Sequence, residues 1–447
     1  MLTAAYRIVL SLAFYLPLED FLLKWLSLSD FMYLAFRQLP DVLTLVAFFL
    51  VLVARLVSGE RLRRLGGWID GALVVLLGTA ALAVGLNDAS ATAALLNLKA
   101  LLRYVLVAYV VVNVPMTEER IQRVFRAVLA AVAIQMGVAA LQLVGGEQVV
   151  SFFLPQSTEA TFAGLELQFT ATWEAERGRV FGTIGQTVGF AGFMLVGLIV
   201  WTTTEWRRPL RYWAGIALFA AFLYFSGSRT ALIVGFLVVL GQEYVRGRAS
   251  ATVMLGALLL GAAGVSVAIA GVDLTETDLF SIFTERYLEI AARQRLGIVV
   301  DILPEFLASV SLPRILFGFS GDPAVIESFV AAMFNAPETI VREIGVLEDV
   351  YWGAIFLYYG AVGFLSMAFV IGRTGYELHG MRTADPDDRF TRELATVAFV
   401  LLLTAVPLNV IGRVFEVRQF SFYLWAAVGL ALAHRAQNLR GEREAAG

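Results

Sequence analysis

Residues 69–86 read Ile-Asp-Gly-Ala-Leu-Val-Val-Leu-Leu-Gly-Thr-Ala-Ala-Leu-Ala-Val-Gly-Leu. Past Asp70 nothing in this stretch is charged, and a helix of that length reaches across most of a bilayer's hydrocarbon core. Lipid offers no hydrogen bonds, so the backbone must satisfy its own polar groups, and the stretch reads as a membrane helix. The whole chain shares this character. Its 447 residues are 59% hydrophobic and 16% charged, with a mean hydropathy of +0.76, against about 45–50% apolar and about 25% charged in a soluble domain. A soluble protein of this size would lack the polar surface to cover its core, which excludes a cytosolic globular enzyme. Cys is absent and His379 and His434 are the only histidines. Disulfide frameworks, thiolate zinc sites and His-rich metal sites are excluded with them.

Outward from 69–86, roughly twelve apolar stretches are bounded by charges. Their cores are 6–18, 41–57, 69–86, 94–114, 124–144, 184–203, 210–225, 230–245, 251–271, 350–372, 394–411 and 419–436. The first is short and carries Pro17, Glu19 and Asp20. The expected fold is therefore an all-α polytopic membrane bundle in three parts: 1–272 with spans 1–9, an extracytoplasmic segment 273–348, and 349–447 with spans 10–12 and a tail. No short apolar segment followed by a small-residue cleavage site opens the chain, so no removable signal peptide is expected.

Cations set the expected orientation. Arg61, Arg63 and Arg64; Arg120, Arg123 and Arg126; Arg207, Arg208 and Arg211; Arg246 and Arg248; and Arg373, Arg382, Arg389 and Arg392 all fall in alternate loops. Arg7 at one terminus and Arg435, Arg440 and Arg443 at the other share that side, so both termini are expected in the cytoplasm. Segments 146–181 and 273–348 then face outward. The larger holds twelve acids against five arginines, a net of −7. Arginines kept on that side are candidates for binding an anion. Apolar spacing over 279–307 suggests amphipathic helices against the membrane face, and the run Arg314-Ile-Leu-Phe-Gly-Phe-Ser-Gly-Asp-Pro323 breaks helix.

Four constellations could carry chemistry. Tyr224-Phe-Ser-Gly-Ser-Arg-Thr-Ala forms a tight connection that puts Arg229 at the outer hydrocarbon boundary, beside the Ser226, Ser228 and Thr230 hydroxyls and the positive end of the next helix. That suits a phosphate oxygen; a snorkelling arginine capping a hairpin is the alternative. Lys99 and Arg103, four residues apart inside one apolar stretch, would share a helix face, serving a ligand or pairing with Asp70, Asp88 or Glu19. Arg179 lies in Glu174-Ala-Glu-Arg-Gly-Arg-Val-Phe-Gly-Thr-Ile-Gly, whose glycines at 178, 182 and 185 allow close backbone approach. Glu348 and Asp349, ahead of Tyr351 and Trp352, are adjacent carboxylates able to take a proton from a hydroxyl, or else a solvated helix start. No GxSxG, P-loop, HExxH or paired CxxC occurs.

Taken in order, Arg179-Val-Phe-Gly-Thr, Ser226-Gly-Ser-Arg-Thr-Ala, Arg293-Gln-Arg295, Leu-Phe-Gly-Phe319, Glu348-Asp349-Val-Tyr-Trp and Tyr359-Gly-Ala-Val-Gly363 resemble the O-antigen polymerase and O-antigen ligase superfamily over about 175–435. The resemblance implies a membrane-embedded glycosyltransferase of the C type, working on the outer face of the bacterial inner membrane without metal or other cofactor. Its donor would be an undecaprenyl-diphosphate glycan. It further implies that Arg229 and one of Arg293 or Arg295 bind the donor diphosphate, with Arg179 a third; Ser228, from its hydroxyl beside Arg229, and Arg103, from its place in an apolar stretch, are further binding candidates. Ligases of this kind typically carry a histidine near the outer end of the large loop, where this chain has Glu348 and Asp349. That departure resembles the polymerase branch, with Asp349 or Glu348 positioning the acceptor. Expected partners are the lipid-linked glycan, membrane lipid and polysaccharide export or chain-length machinery, with no nucleic acid. A ligase using an acid, or a twelve-span transporter for the same lipid-linked glycan, are the alternatives.

Overall fold

The computed structural model describes residues 1–26, 30–102, 104–153, 159–162, 165–168, 179–205, 207–246, 308, 310–334, 351–384, 388–411, 415 and 417–446. Apart from one two-stranded hairpin these residues are helical wherever they are regular. The amino-terminal half contains α1 (Leu2–Tyr15), α2 (Glu19–Leu26), α3 (Asp30–Val57), α4 (Gly67–Asn87), α5 (Ala91–Leu101), α6 (Val105–Asn113), α7 (Glu118–Val144) and α8 (Gly146–Phe153). After β1 (Glu159–Phe162) and β2 (Leu165–Gln168) come α9 (Thr187–Thr204), α10 (Pro209–Phe225), α11 (Arg229–Val245), α12 (Leu312–Phe317), α13 (Pro323–Phe334), α14 (Tyr351–Ala384), α15 (Arg389–Ile411) and α16 (Arg418–Ala446). The antiparallel hairpin, with Glu159 opposite Gln168 and Phe162 opposite Leu165, is a short local exception within the expected helical fold. It lies between spans, where sheet hydrogen bonds need no lipid-compatible closure.

Among the described residues six helices are long and apolar enough to cross a bilayer: Phe31–Val57, Gly67–Asn87, Glu118–Val144, Thr187–Thr204, Tyr351–Thr383 and Arg389–Asn409. Counting α5 and α6 as one bent span makes seven. The other expected spans divide by cause. Stretch 6–18 corresponds to α1, 14 residues ending in a 3-10 turn at Leu16–Leu18, too short to cross unaided. Stretches 210–225 and 230–245 are helices of 17 residues, and 251–271 lies outside the described residues. Stretch 419–436 is in α16, whose flanks Arg418, Gln419, Ser421 and His434 are buried. That helix packs against α6, α9 and α15, so it meets protein where a peripheral helix meets lipid. Gly429 brings its backbone onto Ala108 of α6, whose carbonyl oxygen would lie 2.9 Å from an added Cβ, as small residues do at membrane helix crossings.

The apolar pattern explains which helices are peripheral. Along α4, Ile69, Leu73, Leu76, Thr79, Ala80 and Ala83 face the core, while Trp68, Val74, Val75, Leu77 and Leu82 are exposed. Helix α9 is buried on nearly every side. Two helices are broken. α5 and α6 meet at 58° across Leu102–Tyr104, with Tyr104 in the left-handed region at φ 64°. α14 is interrupted at Gly360, φ 64° and ψ −169°.

Hydrogen bonds sort the helix ends into two groups. At one end the Tyr6 hydroxyl donates to the Arg120 carbonyl, Arg55 to that of Asn113, and Asn438 to Asp388. At the other, Thr183 donates to the Pro17 carbonyl, Val180 N–H to that of Phe225, and Arg418 to Glu19. Among the described residues, the arginines of the alternate loops gather at the first end, where α1 begins and α16 finishes.

Candidate functional site

The site builds from the connection between α10 and α11. Its turn needs Gly227 at φ +69°, a conformation that costs other residues about 1–2 kcal/mol. Ser226 is fully buried, donates to the Leu223 carbonyl at 2.6 Å and accepts the Ser228 N–H at 3.2 Å. α11 opens at Arg229 with Ser228 as its N-cap, and the Ser228 side chain makes no capping bond. First-turn N–H groups and the helix's positive end are thus presented at this turn.

Arg179 comes to the same turn from the preceding segment. Val180 N–H donates to the Phe225 carbonyl at 3.1 Å, and the Arg179 side chain lies over Gly227, where an added Cβ would sit 2.7 Å from its Nε. Two buried amides hold the segment in place. Gln142 accepts the N–H groups of Phe181 (3.2 Å) and Gly182 (3.0 Å) and donates to the Gly182 carbonyl at 2.9 Å. Gln135 accepts Thr183 N–H at 2.8 Å and donates to the Pro17 carbonyl at 2.7 Å. Gly182, at φ +60°, is the residue that lets Gln135 and Phe190 this close. The close approach expected of the glycines therefore serves helix packing at Gly182.

Of the expected site residues, the structure brings together Arg179, Ser228 and the backbone of Arg229. The Arg229 side chain, Arg103, Arg293, Arg295, Glu348 and Asp349 lie outside the described residues, as do Gly178 and the expected amphipathic helices of 279–307. Lys99 pairs with Asp41 at 2.7 Å and donates to Gln38 at 2.5 Å, so its acid is none of Asp70, Asp88 or Glu19. The reason is the break after Leu101. It ends α5 two residues beyond Lys99 and sets Lys99 against α3, so the helix does not run on unbroken past Leu101.

Sequence reasoning missed the charged knot beside this region. Glu19, fully buried, accepts Arg418 at 2.6 Å; Arg418 also donates to the Arg37 carbonyl at 2.6 Å, and Arg37 pairs with Asp20. Four charges close on one another across three chain segments, which compensates their burial. Glu19 and Asp20 inside an apolar stretch were the available signal.

The Gly318–Asp322 run was legible as a break and proves to be a dock. Phe319 N–H donates to the Leu357 carbonyl at 2.9 Å, just before the interruption of α14. An added Cβ at Gly318 would sit 2.5 Å from Tyr358 backbone, and one at Gly360 would strike the Leu316 carbonyl. Asp322 accepts Ser90 N–H at 2.9 Å and Ala324 N–H at 3.2 Å, and Asn87 donates to the Gly318 carbonyl at 3.1 Å. The Gly318–Asp322 stretch is thereby fastened to α4, to the start of α5 and to α14.

Among the described residues no three His, Asp or Glu side chains converge as a metal site. His379 and His434, beside Arg382 and Asn438, lie at the arginine-rich end, away from the turn. Comparison of the chain with protein-family models and with curated proteins finds no match.

Proposed function

We propose that this chain is a repeat-unit polysaccharide polymerase of the bacterial inner membrane, with both termini in the cytoplasm and its site on the outer face. It transfers a growing glycan from undecaprenyl diphosphate to the non-reducing end of a lipid-linked repeat unit. The glycosidic bond to the diphosphate breaks, the acceptor hydroxyl oxygen takes its place on the sugar carbon, and its proton passes to Asp349 or Glu348. Charge grows on the departing diphosphate, and fixed guanidinium and N–H donors stabilise that growth. In this reading Arg229, Arg179, Ser228 and Arg293 or Arg295 supply the donors, with Arg103 a further candidate.

The observation that supports it is the side chain of Arg179 over Gly227, at the turn that opens the helix of Arg229. A cation, a helix start and two serines meet there at one end of the bundle. Arg229→Ala should abolish chain growth with normal membrane insertion; polymer of wild-type length in that variant would remove the proposal. A deletion strain separates the ligase reading: single-repeat product marks a missing polymerase, long polymer left on the carrier a missing ligase.

One observation favours a transporter as the second reading. The 58° break between α5 and α6, with Lys99 a turn away, is of the discontinuous kind that transporters use for substrates. Purified protein that elongates repeat units already on its accessible side would exclude simple flipping.

A further inference from the structure

The connection between α3 and α4 folds back over the arginine-rich end of the bundle. Gly59 turns it at φ +68°, and Glu60 N–H donates to the Arg55 carbonyl at 3.0 Å. Asn113, fully buried at the end of α6, then clamps its middle from both sides. The Asn113 side-chain oxygen accepts Arg63 N–H at 2.8 Å and its amide donates to the Arg63 carbonyl at 3.0 Å. Arg55 donates to the Asn113 backbone carbonyl at 2.7 Å. The connection is therefore a built element.

Beside it is a recess of about 780 Å³. Leu52, Leu56 and Leu62 form its apolar wall, and Arg55, Arg61, Arg63 and Arg64 outnumber Glu60 and Asp70, for a net charge of +2. Both acids are engaged, Glu60 with Arg55 and Asp70 with the Tyr109 hydroxyl. Arg61 and Arg64 are exposed at the rim. Leu56, Val57 and Trp68 next to them are 69%, 78% and 72% exposed, which puts a lipid-facing surface and an interfacial tryptophan against the mouth.

We propose that this recess holds the phosphate headgroup of an anionic phospholipid from the adjoining leaflet, with Arg61 and Arg64 on the phosphate and the glycerol end of the acyl chains along Leu52 and Leu56. A guanidinium fork matches two phosphate oxygens, and basic pockets at helix ends recognise anionic headgroups. The apolar wall is what separates a lipid from a soluble phosphate, which would have no use for it. Three other arginines at this end pair within single helices, Arg123 with Glu119, Arg373 with Glu377 and Arg389 with Glu393. Arg61 and Arg64 instead stand on a clamped, non-helical connection around a hollow. The inference is independent of the glycan reading.

The test uses the purified full chain in detergent, with thermal unfolding and native mass spectrometry in the presence of phosphatidylglycerol, phosphatidylcholine or inorganic phosphate. Variants are Arg61→Gln with Arg64→Gln, and a charge-matched control at the same end, Arg207→Gln with Arg211→Gln. Phosphatidylglycerol should bind and stabilise the wild type and the control alike, and the recess variant should bind it about tenfold more weakly or worse. Undiminished binding by the recess variant, an equal loss in the control, or equal stabilisation by phosphatidylcholine or by phosphate alone would each overturn the assignment.

Discussion

Arg179 can lie across the turn between α10 and α11 because residue 227 has no side chain there and tolerates a positive φ. Gly227→Ala should cost about 1–2 kcal/mol from the backbone alone and push the guanidinium aside. If the chain is the proposed polymerase and Arg179 acts at this turn, Gly227→Ala and Arg179→Ala will each lower glycan elongation, and the double variant will be little worse than the more damaging single one. Fully additive losses in a double-mutant cycle would show that they act separately. A second residue carries a pH dependence. Burial raises the Asp388 carboxyl, but hydrogen bonds from Thr391 and Asn438 outweigh it, so the group is held below its usual 3.8. A depressed carboxyl contributes its full stability above the ordinary carboxylate range and loses it as pH falls through the lower folded value. Melting temperature should therefore drop between about pH 5 and pH 3, and Asp388→Asn should flatten that drop.

Elements meet through backbone as much as through side chains. Gly318 and Gly360, both at positive φ, let the end of α12 enter the interruption of α14. Gly360→Ala meets the Leu316 carbonyl and should cost about 3 kcal/mol from strain and overpacking together. Gly372→Ala, further along the same helix with open space around it, should change stability by less than about 1 kcal/mol. Thermal unfolding of the two variants checks the contrast. Element boundaries were legible where charge and apolar length coincide, as at 69–86 against Gly67–Asn87. They were not legible at Leu102–Tyr104, where no glycine or proline marks the break. Contacts from elsewhere sustain that break: Lys99 on Asp41, and Tyr104 edge-on to Phe422 at 5.4 Å. The Ser226–Thr230 turn was readable because glycine and small polar residues interrupt an apolar run. Its pairing with Arg179 depends on two glutamines of α7, which carry no local sign of what they hold.

For the whole molecule, helix direction alternates so that the arginine clusters, the start of α1 and the finish of α16 share one end. The chain has no cysteine, so single introduced thiols report sidedness without a background. A membrane-impermeant reagent should label Arg211→Cys from one face only and Gln186→Cys from the opposite face only. Labelling of both from the same face would refute the arrangement.

Composition and apolar length determine, without any coordinates, that the chain is a multi-helix membrane protein, because transfer of backbone and side chains into lipid is a sum over residues. Charge along the chain likewise predicts which loops share an end. The sequence could not decide which buried ions pair, where helices break, or which segments close on the turn before Arg229. Glu19 finds Arg418, Lys99 finds Asp41 and Arg179 finds Gly227 only after folding. Burial makes an unpaired charge or amide costly, and the partner that relieves it is chosen by packing rather than by distance along the chain.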